Sequence, residues 1–214
     1  MRDVLIVLNP RRIPDALEAI EALDIDRLWV RNLWMFEIEA RWGEIEETIS
    51  EYEWAWILCD DVIPTQEALE AVRELAEEGF PVVTGYCNLD ATDERVMVTR
   101  APLGPRSKVS AYDFYTLEEM QAGPRVRATT FLNYCLSGMS VEMWRQYPLQ
   151  NEPEGNAADF NQSRRLAEDG IEMVTHRDAF CWHLKERWNQ PNRDPQKRLL
   201  MGSEPSAIEL EVRV

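Results

Sequence analysis

Over its first ninety residues the chain switches repeatedly between two hydrophobic periods, and that alternation limits its possible folds more than any other feature. Val4 to Leu8 is an unbroken apolar run, the pattern of a strand buried on both faces. The next segment, Pro14 to Leu23, sets Leu17, Ile20 and Leu23 at helical spacing, and Arg27 to Val30 is a short second strand. Glu37 to Tyr52 aligns Ile38, Trp42, Ile45 and Ile49 along one helical face. Trp54 to Leu58 is a third strand. Thr65 is placed to cap a helix over Gln66 to Glu78, with Leu69, Val72 and Leu75 facing inward and Gly79 ending it. Pro81 to Tyr86 completes the series as a fourth strand. A β-α-β-α-β-α-β order predicts an α/β protein with a mostly parallel central sheet. Such sheets bind ligands beyond the carboxyl ends of their strands.

The remaining sequence is less regular. Turn signals stand at Leu103-Gly104-Pro105 and Ala122-Gly123-Pro124. Thr129 to Leu136 reads as a strand, Ser140 to Gln146 as a short helix, and Ala158 to Glu168 as a helix closed by Gly170. Ile171 to Val174 and Ala179 to Trp182 are two short strands or one bent strand. The last ten residues form an edge strand or a tail. This divides the chain into a domain over residues 1–190 and a C-terminal extension or tail, 191–214, packing on it.

Charge and apolar patterning exclude several classes. With 39 acidic against 23 basic residues, a net −16, the surface is unsuited to a nucleic-acid backbone. No apolar run approaches the roughly 20 residues of a membrane helix, and the short run in MRDVLIVLNP is too brief for a secretory leader. Cys59, Cys87, Cys135 and Cys181 are far apart with no C-x-x-C, as for free thiols in a reducing compartment. A cytoplasmic location is expected.

The chemistry concentrates at strand and helix ends. The third strand runs into Asp60 and Asp61 and stops at Pro64. Two adjacent carboxylates there repel unless they are solvated or share a cation; they can also cap the helix that follows. Asp159 opens the helix that carries Arg165 and ends at Gly170, and His183 follows thirteen residues later.

In that order and spacing, over roughly residues 3–187, these features resemble the nucleotide-sugar glycosyltransferases of GT-A fold, particularly the large inverting family 2 group. ILCDDVIPTQEAL resembles the strand-end D-x-D motif with its following proline and leucine-bearing helix. Ala158-Asp159 is similar to the E-D motif that opens a glycine-terminated helix. His183 stands where many members carry a metal-binding histidine. The resemblance implies a GT-A (nucleotide-diphospho-sugar transferase) fold, a single Rossmann-like domain, and an inverting transfer from a UDP- or GDP-linked sugar to an acceptor hydroxyl of unspecified identity. It implies Mn²⁺ or Mg²⁺ held by Asp61 and His183, Asp60 facing the sugar or ribose, and Asp159 as general base. It places the donor nucleoside near Asn9, Pro10, Arg11, Arg31 and Asn32. Lys185 and Arg187, in a locally basic segment after His183, are placed to cover the diphosphate. The acceptor side is placed at Gly138 and Trp144.

Two departures stand out: Cys59 occupies the position of the first acid of D-x-D, and Ala158 that of the usual glutamate. They motivate an alternative, a catalytically impaired protein that binds nucleotide or sugar. A sugar-phosphate nucleotidyltransferase is a further alternative, although NPRRIP lacks the glycine-rich loop expected after its first strand. His176 has no role in this scheme.

Overall fold

The computed structural model describes residues 1–9, 13–31, 37–89, 94–100, 113–151, 158–184 and 209–214. Pro10, Arg11, Asn32, Lys185 and Arg187 lie outside the described residues, as does the Asn9 side chain.

The amino-terminal half follows the alternation in the sequence: β1 (Asp3–Asn9), α1 (Pro14–Glu21), β2 (Asp26–Arg31), α2 (Ile38–Thr48), β3 (Trp54–Cys59), β4 (Val62–Ile63), α3 (Gln66–Glu77) and β5 (Val82–Cys87). The Thr65 hydroxyl accepts from Ala68 N to cap α3, and Gly79 turns away with φ 94°. Then come β6 (Arg95–Thr99), β7 (Phe114–Thr116), α4 (Leu117–Ala122), β8 (Val126–Ala128), β9 (Cys135–Ser140), α5 (Val141–Gln146), α6 (Ala158–Glu168), β10 (Met173–His183) and β11 (Glu209–Arg213).

The main sheet has the order β11-β2-β1-β3-β9-β5-β10-β4, with β8 also pairing β10. β1 is parallel to β2 and β3, and β5 is parallel to β10. Strand β9 is antiparallel to both β3 and β5, so β2, β1, β3, β5 and β10 all run one way. The protein is thus a mixed α/β structure with a large central sheet. β10 is one strand with an irregularity between Thr175 and Phe180, and β11 borders the sheet antiparallel to β2.

The reversed strand β9 begins six residues later than the sequence pattern places it. Before it, backbone N–H groups bond to hydroxyls rather than to a neighbouring strand: Thr130 to Thr99 (3.2 Å), Phe131 to Thr129 (3.3 Å) and Leu132 to Ser163 (2.8 Å). A segment whose donors are already used cannot join a ladder. The β3/β9 register then skips Leu136, whose φ is 54°. An extra residue in the left-handed region is a bulge, and for leucine a costly one.

Two residues assigned to acceptor binding belong instead to the core beneath β9. Trp144 is fully buried, stacks on Trp42 at 5.1 Å and donates from Nε1 to Ala55 O at 2.8 Å. A Cβ on Gly138 would lie 2.5 Å from the Trp56 ring and 2.6 Å from Ala55 O. The glycine therefore admits a neighbouring tryptophan, not a ligand.

His176, in β10, is 4% exposed. Its Nδ1 accepts from Asp178 N at 3.0 Å, so a neutral ring carries its proton on Nε2, which has no hydrogen-bonding partner among the described residues. Burial lowers its pKa; the Asp178 and Glu74 carboxylates oppose this, and Arg125 and Arg177 reinforce it. A depressed folded-state pKa means that the unfolded chain binds the proton more readily. The stabilisation is complete above the unfolded value near 6.5 and is lost as pH falls below it. The thermal midpoint is therefore expected to drop from pH 7 to pH 5 more steeply in the wild type than in His176→Asn, whose side-chain oxygen can still accept from Asp178. Parallel slopes would remove His176 from this account.

Among the described residues no helix is long and apolar enough to cross a membrane.

Candidate functional site

The carboxyl ends of β3, β5 and β10 and the start of the reversed strand β9 meet at one end of the sheet. There β3 ends at Cys59, whose N–H donates to Tyr134 O, while Asp60 N donates to Leu8 O at 3.0 Å. The chain turns at Asp60–Asp61, and β4 returns antiparallel to β10, with Val62 opposite His183. Leu184 N donates to Asp61 O at 2.7 Å. This turn explains why two acidic residues follow a buried strand: it delivers Asp61 to the end of β10.

The Asn88 side-chain oxygen accepts from His183 N at 3.0 Å, and Asn88 O lies 3.3 Å from His183 Nδ1. That contact leaves Nε2 facing Asp61 Oδ2 at 3.4 Å. Burial opposes a charged imidazole here, but the neighbouring Cys87 sulfur and Asp61 carboxylate outweigh it and raise the His183 pKa. The Cys87 thiol is lowered in turn, first by a hydrogen bond from Cys135 and, against burial, by His183. Cys135 is pushed up by burial and by the sulfurs of Cys181 and Cys87, so it remains a thiol and can donate.

Asp159 arrives on the first turn of α6. Its Oδ1 accepts from Phe160 N at 2.9 Å, Ser163 Oγ donates to its carbonyl, and Phe160 stacks on Phe131 at 4.8 Å. These contacts fix α6 against the segment that precedes β9.

Asp61, Asp159 and His183 line a single cavity of about 200 Å³ with Asn133, Tyr134 and the thiols of Cys59, Cys87 and Cys135. Three cysteines far apart in sequence therefore share one wall, a grouping that spacing alone did not indicate. Asp60 is fully buried and does not line the cavity. Neither Gly138 nor Trp144 reaches it. Asn133 and Tyr134 had no assigned role; the signal was a polar residue inside an apolar segment, FLNYCL.

The residues fit a divalent cation only as a shared ligand. Asp61 Oδ2 and His183 Nε2, 3.4 Å apart, are wider than the roughly 3.0 Å edge of an octahedral shell with bonds of about 2.1 Å, so an ion would have to draw them together. No group of three or more His, Cys, Asp or Glu among the described residues is arranged to hold a metal. Such an ion would need further oxygens from a substrate and water, as Mg²⁺ commonly does. Because a metal-bound imidazole must be neutral, the raised His183 pKa would make ion binding compete with protonation.

No family model matches the chain, and no curated protein matches it. Among solved structures, A197 from STIV is similar over 82% of this chain and 81% of its own, with 17% identity and a TM-score of 0.53. The inositol-1-phosphate CTP transferase from T. maritima is similar over 86% of this chain and 89% of its own, with 11% identity and a TM-score of 0.46. The likeness to A197 is one of fold, the mixed α/β architecture described above.

Proposed function

We propose that the protein is an inverting glycosyltransferase of GT-A type, using a UDP- or GDP-linked sugar and an acceptor hydroxyl, with residues 1–190 as its catalytic domain and 191–214 as an extension. The observation that carries this reading is the convergence of Asp61, Asp159 and His183, 122 residues apart end to end, on one cavity at the carboxyl ends of the strands. Asp61 and His183 would hold Mn²⁺ or Mg²⁺, which when bound would supply Lewis-acid stabilisation to the leaving diphosphate. Asp159 would accept the proton of the acceptor hydroxyl as it attacks the anomeric carbon. Its position on the first turn of α6, held by contacts on both sides, suits a base that must stay within hydrogen-bond reach.

The cavity lies below the roughly 300–1,000 Å³ of pockets that enclose a whole drug-sized ligand. It would take the sugar and its phosphate linkage, with the nucleoside near the end of β1 and in segments outside the described residues.

A specific observation favours one second reading. Cys59 lines the wall where the family has a carboxylate, which suits a protein that binds nucleotide or sugar without turnover. Incubation with UDP- and GDP-sugars plus Mn²⁺, with nucleoside diphosphate release measured, separates the two. The transferase should hydrolyse at least one donor slowly even without acceptor. Binding without release would support the second reading, and pyrophosphate release from a nucleoside triphosphate plus a sugar phosphate would replace both with a nucleotidyltransferase.

A further inference from the structure

The strand that borders the sheet beside β2 carries an exposed apolar stripe. Among the described residues β11 pairs with β2 along one edge and with no strand along the other. Such an edge offers unpaired N–H and C=O groups and templates further pairing unless charge, a bulge, a proline or shortness blocks it. At the opposite border β4 is only two residues long. β11 has five, none of them proline, in unbroken register with β2. Its side chains alternate between faces. Leu210 and Val212 share one face, and Val214 continues the alternation just beyond the strand. Leu210 packs on the core, whereas Val212 is 46% and Val214 97% exposed. The exposed large apolar side chains among the described residues are Met1, Trp182, Val212 and Val214, so this one face holds half of them.

The other face carries Glu211 and Arg213, whose charges are balanced within the chain. Glu211 binds Arg31 at 2.6 Å and Arg213 at 2.7 Å, and Arg213 also reaches Glu21 at 3.0 Å. The Arg213 guanidinium lies 5.7 Å from the centre of the Trp29 ring. Two acids and two arginines leave this group without net charge, so it does not itself repel a second copy, although the whole chain carries −16.

We propose that β11 is a dimerisation strand, pairing antiparallel with β11 of a second copy of this chain across a two-fold axis that passes through Val212 perpendicular to the sheet. Such an axis keeps each face on its own side, so residues directly opposite each other share a face. Val212 then meets its own counterpart, Leu210 meets Val214, and Glu211 meets Arg213. Every pair is apolar on apolar or acid on base. An axis through Glu211 or through Arg213 would instead set like charges directly opposite, which is destabilising. Pairing across Val212 covers the exposed stripe and joins two sheets into one. A strand pair this short falls below the roughly 1,200–2,000 Å² of stable interfaces, so the dimer is reversible and dissociates on dilution. β2, β1, β3, β9 and β5 separate β11 from β10. The interface is therefore remote from the cavity and stands whatever reaction occurs there.

Sedimentation of the full chain from about 1 μM to about 1 mM should show the mass rising toward twice that of one chain. Val212→Lys sets two ammonium groups opposite each other on the axis and should weaken the dimer roughly tenfold or more. A thermal midpoint measured at the dilute end checks that this variant is folded. Val212→Cys tests the same register with a small, neutral side chain. With diamide as oxidant the two new thiols should close an intermolecular disulfide, read as a band of doubled mass on a non-reducing gel. Val214→Cys is more exposed, but in this register it lies roughly 14 Å along the strands from its counterpart and should not cross-link. A chain that stays monomeric throughout, a dimer that folded Val212→Lys leaves intact, or cross-linking at 214 that equals or exceeds that at 212 would overturn the inference.

Discussion

Asp159→Asn is expected to slow sugar transfer by about 10²–10⁴-fold while leaving donor affinity within a factor of two or so. The substitution is nearly isosteric, and the new side-chain oxygen can still accept from Phe160 N as Asp159 Oδ1 does at 2.9 Å. Ser163 and Phe160 bind the helix to the neighbouring segment independently of the carboxylate. The lost charge at the first turn of α6 should therefore cost only about 0.3–1 kcal/mol of stability. What disappears is the ability to take a proton from the acceptor. The loss should appear in kcat and kcat/KM together, the signature of an interaction made in the transition state. Asp61→Ala should act differently: it removes an oxygen facing His183 and should abolish Mn²⁺-dependent donor binding as well as turnover. A calorimetric titration of donor and Mn²⁺ beside initial rates with acceptor distinguishes the two variants. Full transfer activity in Asp159→Asn would show that the base is elsewhere.

The contrast between these carboxylates and the rest of the wall shows which parts of the site a sequence can expose. Asp61, Asp159 and His183 each sit at the end of an apolar strand or at the opening of an amphipathic helix, where the change of composition marks them. Their shared location follows from strands that run the same way, because parallel strands collect their carboxyl ends on one edge. The periods of β1, β2, β3 and β5 and of α1, α3 and α6 are local properties, and the observed elements fall within a few residues of the pattern. The place of β9 is not local. Its insertion between β3 and β5 depends on pairings such as Trp56 with Gly138 and Val83 with Gly138, more than fifty residues apart in sequence.

For the same reason Asn133 and Tyr134 looked like alternate faces of a strand. Only the hydroxyls of Thr99, Thr129 and Ser163, which take up the backbone donors of residues 130–132, keep that segment out of the sheet and let it form a wall. The thiol grouping was hidden likewise, since Cys87 and Cys135 are brought near each other by strand order and not by spacing. Gly138 and Trp144 were misread because small and aromatic residues also mark ligand sites. Here they mark the close contact of a reversed strand with a tryptophan beneath it.

That packing yields the largest expected effect on stability. Trp144→Ala should destabilise the fold by about 3–5 kcal/mol, a large share of the roughly 5–15 kcal/mol that holds a typical domain together. Trp144 is fully buried, faces Trp42 at 5.1 Å and donates to Ala55 O at 2.8 Å. The alanine leaves a cavity between α2, α5 and β3 and deprives a buried carbonyl of that bond. Trp144→Phe separates the two contributions: it retains most of the ring and loses the indole donor, so a smaller cost of about 1–3 kcal/mol is expected. Urea unfolding should show both as shifts of the midpoint with little change in slope. Neither side chain reaches the cavity, so activity per folded molecule, measured well below the midpoint, should match that of the wild type. Wild-type stability combined with a tenfold loss of acceptor-dependent turnover would restore Trp144 to the acceptor site and displace the core assignment.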